Sequence, residues 1–176
     1  VNTVVTLWRA VNVGGRRVKM DALRALYESL GCRQVVTYLQ SGNVVCGVPA
    51  KLEPQFAVRL QQAFAAEFGF ESEAILRTAT DLATVIAGNP FAGRTDVAPH
   101  RLLVSFAVQP IPKTFTPPPG IPEEIIPAAR EVYVHFPLGA GQSKLTPPRL
   151  DKLIGSPSTA RNWNTVEKLS ELASQP

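Results

Sequence analysis

Histidine and cysteine are scarce here: the 176 residues hold two of each, and that scarcity removes several chemistries at the outset. Cys32 and Cys46 have no CxxC spacing and stand in or beside apolar segments, so free, buried thiols are expected rather than a disulfide or a metal site. His100 and His135 belong to no HExxH, which leaves no catalytic zinc set, and neither a metal nor a cofactor is expected. The carboxylates are scattered, without the close pair that acid-base glycosidase chemistry requires. No run approaches eighteen apolar residues, and the amino-terminal segment lacks the basic-then-apolar pattern of an export leader, so a cytoplasmic protein with no membrane partner is expected. The dinucleotide and phosphate fingerprints GxGxxG and GxxxxGKS/T are absent, as are SxxK and the aromatic RNP1 pattern of RNA-recognition sheets.

What is present begins with a core. Hydrophobic residues make up 45% of the chain and charged ones 18%, enough to bury one domain or two small subdomains. The net charge is +4, and residues 1–24 alone account for it, setting Arg9, Arg16, Arg17, Lys19 and Arg24 against Asp21. So local an excess fits a phosphate, a carboxylate or a short nucleic-acid contact better than a long stripe along a duplex. Its setting is the bend Arg9-Ala10-Val11-Asn12-Val13-Gly14-Gly15, between a strand-like run at 4–8 and an amphipathic helix. Gly14 and Gly15 let successive N–H groups converge, and the helix that follows turns its positive end here. The alternative is a plain βα turn with solvated arginines.

Met20, Leu23, Leu26, Tyr27 and Leu30 recur at helical spacing and Gly31 supplies a left-handed stop. Residues 35–39 and 44–48 form two strand-like runs joined by Gln40-Ser41-Gly42-Asn43, a hairpin. Phe56, Leu60, Phe64 and Phe68 mark a second helix ended by Gly69, and 74–77 a fourth strand. The order β-α-β-β-α-β predicts an α+β fold with a ferredoxin-like split βαβ first subdomain over 1–78.

Residues 79–176 are expected to form a smaller α+β subdomain. Thr78 to Asp81 resembles an N-cap for a short helix, 102–108 a strand, and 110–127 holds seven of the sixteen prolines. That stretch reads as extended loop, flap or spacer, with one helical turn at 122–126. A strand at 131–136 puts Val132, Val134 and Phe136 on an apolar face and Tyr133 and His135 on the other. Thr146-Pro147 opens a helix that Gly155 ends, and Asn164 with Glu167 has capping-box spacing for the last helix. Only two strands are expected in this half, and no internal sequence repeat is evident.

Four polar stretches are candidate sites. Besides the bend with Arg9 and Asn12, the hairpin residues Gln40, Ser41, Gly42 and Asn43 offer hydrogen-bonding groups, although turn chemistry alone accounts for Gly42 and Asn43. On the predicted topology these two loops are expected at opposite ends of adjacent strands. In Gly139-Ala-Gly141-Gln-Ser143-Lys144 a hydroxyl and an ammonium stand next to a helix start, suited to an oxyanion or to cap duty. Arg161, Asn162 and Trp163 present a guanidinium, an amide and an indole that suit a planar ligand or a buried structural role. His135 is placed to reach the Ser143 loop.

Arg9 to Gly15, Tyr38-Leu-Gln-Ser-Gly-Asn-Val44, Asn89-Pro-Phe91, Gly141-Gln-Ser-Lys-Leu145 and Thr159-Ala-Arg-Asn-Trp-Asn-Thr165 together resemble, in order, the motif series of the bacterial domain of unknown function family 1697. The resemblance implies an α+β fold with a ferredoxin-like first part and brings no activity. The family usually shows Arg-Gly-Ile-Asn-Val-Gly-Gly, so Ala10 and Val11 depart from it. The first reading of function is a small anionic ligand, phosphorylated or carboxylate-bearing, held in a composite polar site between the subdomains. Alternatives are a nucleic-acid-binding protein, and an enzyme acting on a phosphoester or acyl group through Ser143 or His135 with Lys144 and Arg161.

Overall fold

The apolar run near the amino end becomes β1 (Asn2–Trp8), an inner strand of an antiparallel four-stranded sheet in the computed structural model, which describes residues 2–175. The elements expected next follow in order: α1 (Met20–Ser29), β2 (Arg33–Tyr38), β3 (Asn43–Val48), α2 (Phe56–Phe68) and β4 (Ala74–Thr78). The sheet runs β2-β3-β1-β4. Leu23, Leu26 and Tyr27 of α1 and Phe56, Leu60 and Phe64 of α2 bury their apolar stripes with Trp8, Val44, Cys46 and Val48. The Phe64 ring stacks on Trp8 with centroids 4.2 Å apart, and Trp8 Nε1 donates to the Tyr27 hydroxyl at 3.0 Å. This buried aromatic set anchors both helices to the sheet. Val5, Leu7 and Val45 are buried too, so the inner strands are covered on both faces. Cys32 and Cys46 are free and buried, as expected.

Beyond Thr78 the predicted cap is present. Thr78 N donates to Asp81 Oδ2 at 2.8 Å and Asp81 N to Thr78 Oγ1 at 3.0 Å, opening α3 (Ala79–Ala87). The second half departs from expectation in holding, among the described residues, four strands rather than two: β5 (Leu102–Ala107), β6 (Glu124–Pro127), β7 (Glu131–His135) and β8 (Ser158–Asn162), with α4 (Pro147–Ile154) and α5 (Trp163–Ala173). β6 lies where a helical turn was expected, at the end of the proline-rich stretch, and β8 lies inside a stretch read as a polar loop. Both are short edge strands. An edge strand needs no apolar alternation, and it tolerates a proline such as Pro127, so its sequence gives little sign of pairing.

The second sheet runs β6-β7-β5-β8, which repeats the first sheet place for place. β5 stands where β1 stands, and the correspondence extends to single bonds. Trp8 N donates to Gly42 O and Ala107 N to Arg130 O, each at 2.9 Å, at the end of the first strand of each sheet. Val5 lies opposite Arg77 and Val104 opposite Arg161. Both arginines are buried, and each donates Nη1 to the carbonyl of its preceding residue, Leu76 or Ala160, at 2.9 Å. The place of α1 is taken by the proline-rich segment: Ile111, with Phe115 and Ile121, packs against Ile125, Val132, Val134, Leu150 and Ile154. The segment is therefore core cover, neither a flap nor a spacer. The Tyr133 and His135 face of β7 is buried as well; the Tyr133 hydroxyl donates to Val85 O at 2.7 Å.

The chain divides into two compact units, Val1–Ala83 with Leu169–Pro176, and Thr84–Lys168. Among the described residues no helix is long and apolar enough to cross a membrane.

Candidate functional site

In the first unit, β1 and β3 pair antiparallel with Leu7 opposite Asn43. The end of one strand therefore adjoins the start of the other, and the bend and the hairpin loop lie side by side, not at opposite ends. Asn12 clasps them. Its Oδ1 accepts from Val18 N at 2.7 Å, while Nδ2 donates to Gln40 O at 2.6 Å and to Val18 O at 3.3 Å. A bend without regular structure must satisfy its amides locally, and this side chain does so. Asn43, fully buried, donates Nδ2 to Tyr38 O at 2.7 Å and to Ser41 Oγ at 3.0 Å. Gly42, at φ +82°, allows the close approach: a Cβ there would stand 2.6 Å from Val11 Cγ2 and 2.9 Å from Trp8 Cβ. Gly14 and Gly15, at +62° and +85°, meet nothing within 4 Å, so what they supply is backbone handedness.

Arg9 leads to a cavity. Its backbone is tied to the loop before β4, with Arg9 N donating to Glu73 O at 3.0 Å and Ser72 Oγ donating to Arg9 O at 2.6 Å. Its guanidinium is 3.7 Å from the Glu73 carboxylate. Ala10 then turns at φ +54°, in the left-handed region. Arg16 lies over the Phe70 ring, 4.8 Å from its centroid. Between these groups and α2 opens a cavity of about 680 Å³, lined by Arg9, Ala10, Arg16, Val58, Gln61, Gln62, Ala65, Glu71, Ser72 and Glu73. Of these, Arg9 was a candidate site residue from sequence and Arg16 belonged to the basic stretch around the bend. A signal that could have found the wall is Val58, a β-branched apolar residue on the face of α2 opposite Phe56, Leu60 and Phe64, where a solvated helix would carry a polar side chain.

In the second unit, the buried Arg161 donates Nη1 to Thr159 Oγ1 at 2.7 Å, besides its bond to Ala160 O, and burial pushes its guanidinium down to about 10, still charged at neutral pH. Asn162 Oδ1 accepts from Thr165 N at 3.0 Å, so Asn162 caps α5 and the helix starts one residue before the expected Asn164. Trp163 is buried as the first residue of that helix. The Ser143 hydroxyl donates to the Glu123 carboxylate and accepts from Leu145 N at 2.9 Å, while Lys144 is exposed. His135 does not pair with Ser143 but faces Glu124, Nδ1 to Oε1 at 3.4 Å. Its ring centroid is 5.9 Å from Phe91, whose N–H is held by Asn89 Oδ1 at 2.9 Å.

Around His135 lies a cluster that the sequence reading missed. Arg94 bridges Glu124, with Nη1 2.8 Å from Oε2 and Nη2 2.9 Å from Oε1, and Asp96, with Nη2 2.6 Å from Oδ2. The guanidinium holds both carboxyls below their usual range. Nothing in the sequence joins Arg94 to Glu124, because only the return of β6 to the sheet brings them together. Among the described residues no three His, Cys, Asp or Glu side chains gather as a metal-ligand set.

Among the described residues these features define an α+β fold of two antiparallel four-stranded sheets and five α-helices, with the bend and hairpin loop clasped together at the strand ends of the first sheet. Residues 1–133 match the family described as Protein of unknown function (DUF1697), and the chain belongs to that family. In three dimensions it is similar to the conserved bacterial protein SP0830 from Streptococcus pneumoniae, with a TM-score of 0.73 and 21% identity over 98% of this chain and 99% of that chain. At that identity the likeness is one of fold. No curated protein matches the chain.

Proposed function

We propose that this is a cytoplasmic ligand-binding protein, its first unit a ferredoxin-like split βαβ domain that holds a small molecule through an anionic group at Arg9 and Arg16. The observation that carries the reading is the cavity of about 680 Å³, within the size range of small-molecule sites, into whose wall both guanidiniums are built. The Arg9 backbone is fixed by its ties to Ser72 and Glu73, its guanidinium lies 3.7 Å from the Glu73 carboxylate, and the Arg16 guanidinium rests over the Phe70 ring. Two free thiols buried in the same core suit a reducing compartment.

Thermal-shift screening and calorimetry of the full chain against carboxylates and phosphomonoesters test the reading. A binder at millimolar concentration or tighter is expected, and the Arg9→Gln/Arg16→Gln double variant weakens it by about tenfold or more. Binding that survives the double variant unchanged, or no binder in the panel, overturns it.

A further inference from the structure

The wall of the same cavity carries both signs of charge. Resting on the reading that it holds an anionic group, we infer that its ligand is a zwitterion of the short-peptide kind, with a carboxylate, a protonated amine and an apolar side chain between them. Arg9 and Arg16 are matched there by Glu71 and Glu73, so the formal charges on the wall cancel. A phosphomonoester gains from the two guanidiniums and is opposed by the two carboxylates. A ligand bearing both charges offers a partner to each sign of group on the wall.

The remainder of the lining agrees with a peptide. Gln61 Oε1 accepts from Ala74 N at 2.9 Å, so its NH2 is the end that remains, a donor for a peptide carbonyl. Val58, 57% exposed, and Ala65 give an apolar strip on the α2 wall. At about 680 Å³ the cavity would be left largely to water by a single free amino acid, whereas a tripeptide is of a size to fill much of it.

The probe is the tripeptide Ala-Leu-Ala, titrated into the full chain beside its N-acetylated and C-amidated forms. Each modification removes one charge and keeps the shape. Both are expected to weaken binding by about tenfold or more. The exposed-residue variant Glu71→Gln is expected to weaken the free tripeptide by a similar factor and to leave the N-acetylated form unchanged, whereas a merely structural effect weakens both alike. N-acetylated peptide binding as tightly as the free form overturns the inference and leaves the anion reading standing. So does a chain that binds carboxylates or phosphates but none of the tripeptides. Failure of every probe overturns both.

Discussion

Ala10 holds φ +54°, in the left-handed region that glycine occupies without steric cost. A Cβ in the left-handed region costs about 1–2 kcal/mol, part of which glycine would give back through the greater freedom of the unfolded chain. The Ala10→Gly variant is therefore expected to be more stable by up to about 1 kcal/mol, a rise of a few degrees in Tm that calorimetry reads. Gly42 is the opposite case. Its φ is +82°, and a Cβ would run into Val11 and the Trp8 Cβ at 2.6 and 2.9 Å. Gly42→Ala combines strain with overpacking and is expected to cost about 2 kcal/mol or more, measured as a lower urea midpoint. That Gly42 and Asn43 suit a turn was legible in the sequence. That Asn12 spends its amide on Gln40 and Val18 was not, because the partner loop comes from a distant part of the chain and is set only by the β1 to β3 register.

Among the elements, the amphipathic helices were plain in the sequence because four-residue spacing of Phe56, Leu60 and Phe64 is a local pattern that one buried face imposes. The edge strands β6 and β8 were not, since their pairing is decided by β7 and β5 rather than by their own residues. The proline-rich segment was misread for a related reason: it packs without any helical period to announce it. Its burial of Ile111 gives a direct check. Ile111→Ala is expected to destabilise the protein by about 2 kcal/mol or more through the lost contacts and the cavity left behind, read from urea denaturation, whereas a residue in a mere spacer would change nothing measurable. For the candidate site the balance was poorer. Arg9 was visible as charge, but Gln61, Glu71 and Glu73 are ordinary surface types, and only the fold makes them one wall.

At the scale of the whole molecule, acid stability follows from the Arg94 cluster. Asp96 and Glu124 have folded-state values depressed below the ordinary 3.8 and 4.5, by Arg94 first. Their contribution is present above the unfolded values and is lost as the pH falls beneath them through the folded ones. Urea midpoints are thus expected to decline below about pH 5, with a smaller decline in Arg94→Gln; the pairs are solvent-exposed, so the difference is small. The doubled strand order has a different kind of consequence. One sheet is covered by α1, whose backbone is closed by its own hydrogen-bond ladder, and the other by a segment whose prolines carry no amide proton and in which amides such as Ile111 N, bonded to Ala129 O, and Phe115 N, bonded to Pro112 O, bond outside any ladder. Hydrogen exchange should separate what sheet topology makes alike: the α1 amides are expected to exchange together and slowly, those of 108–123 independently and fast.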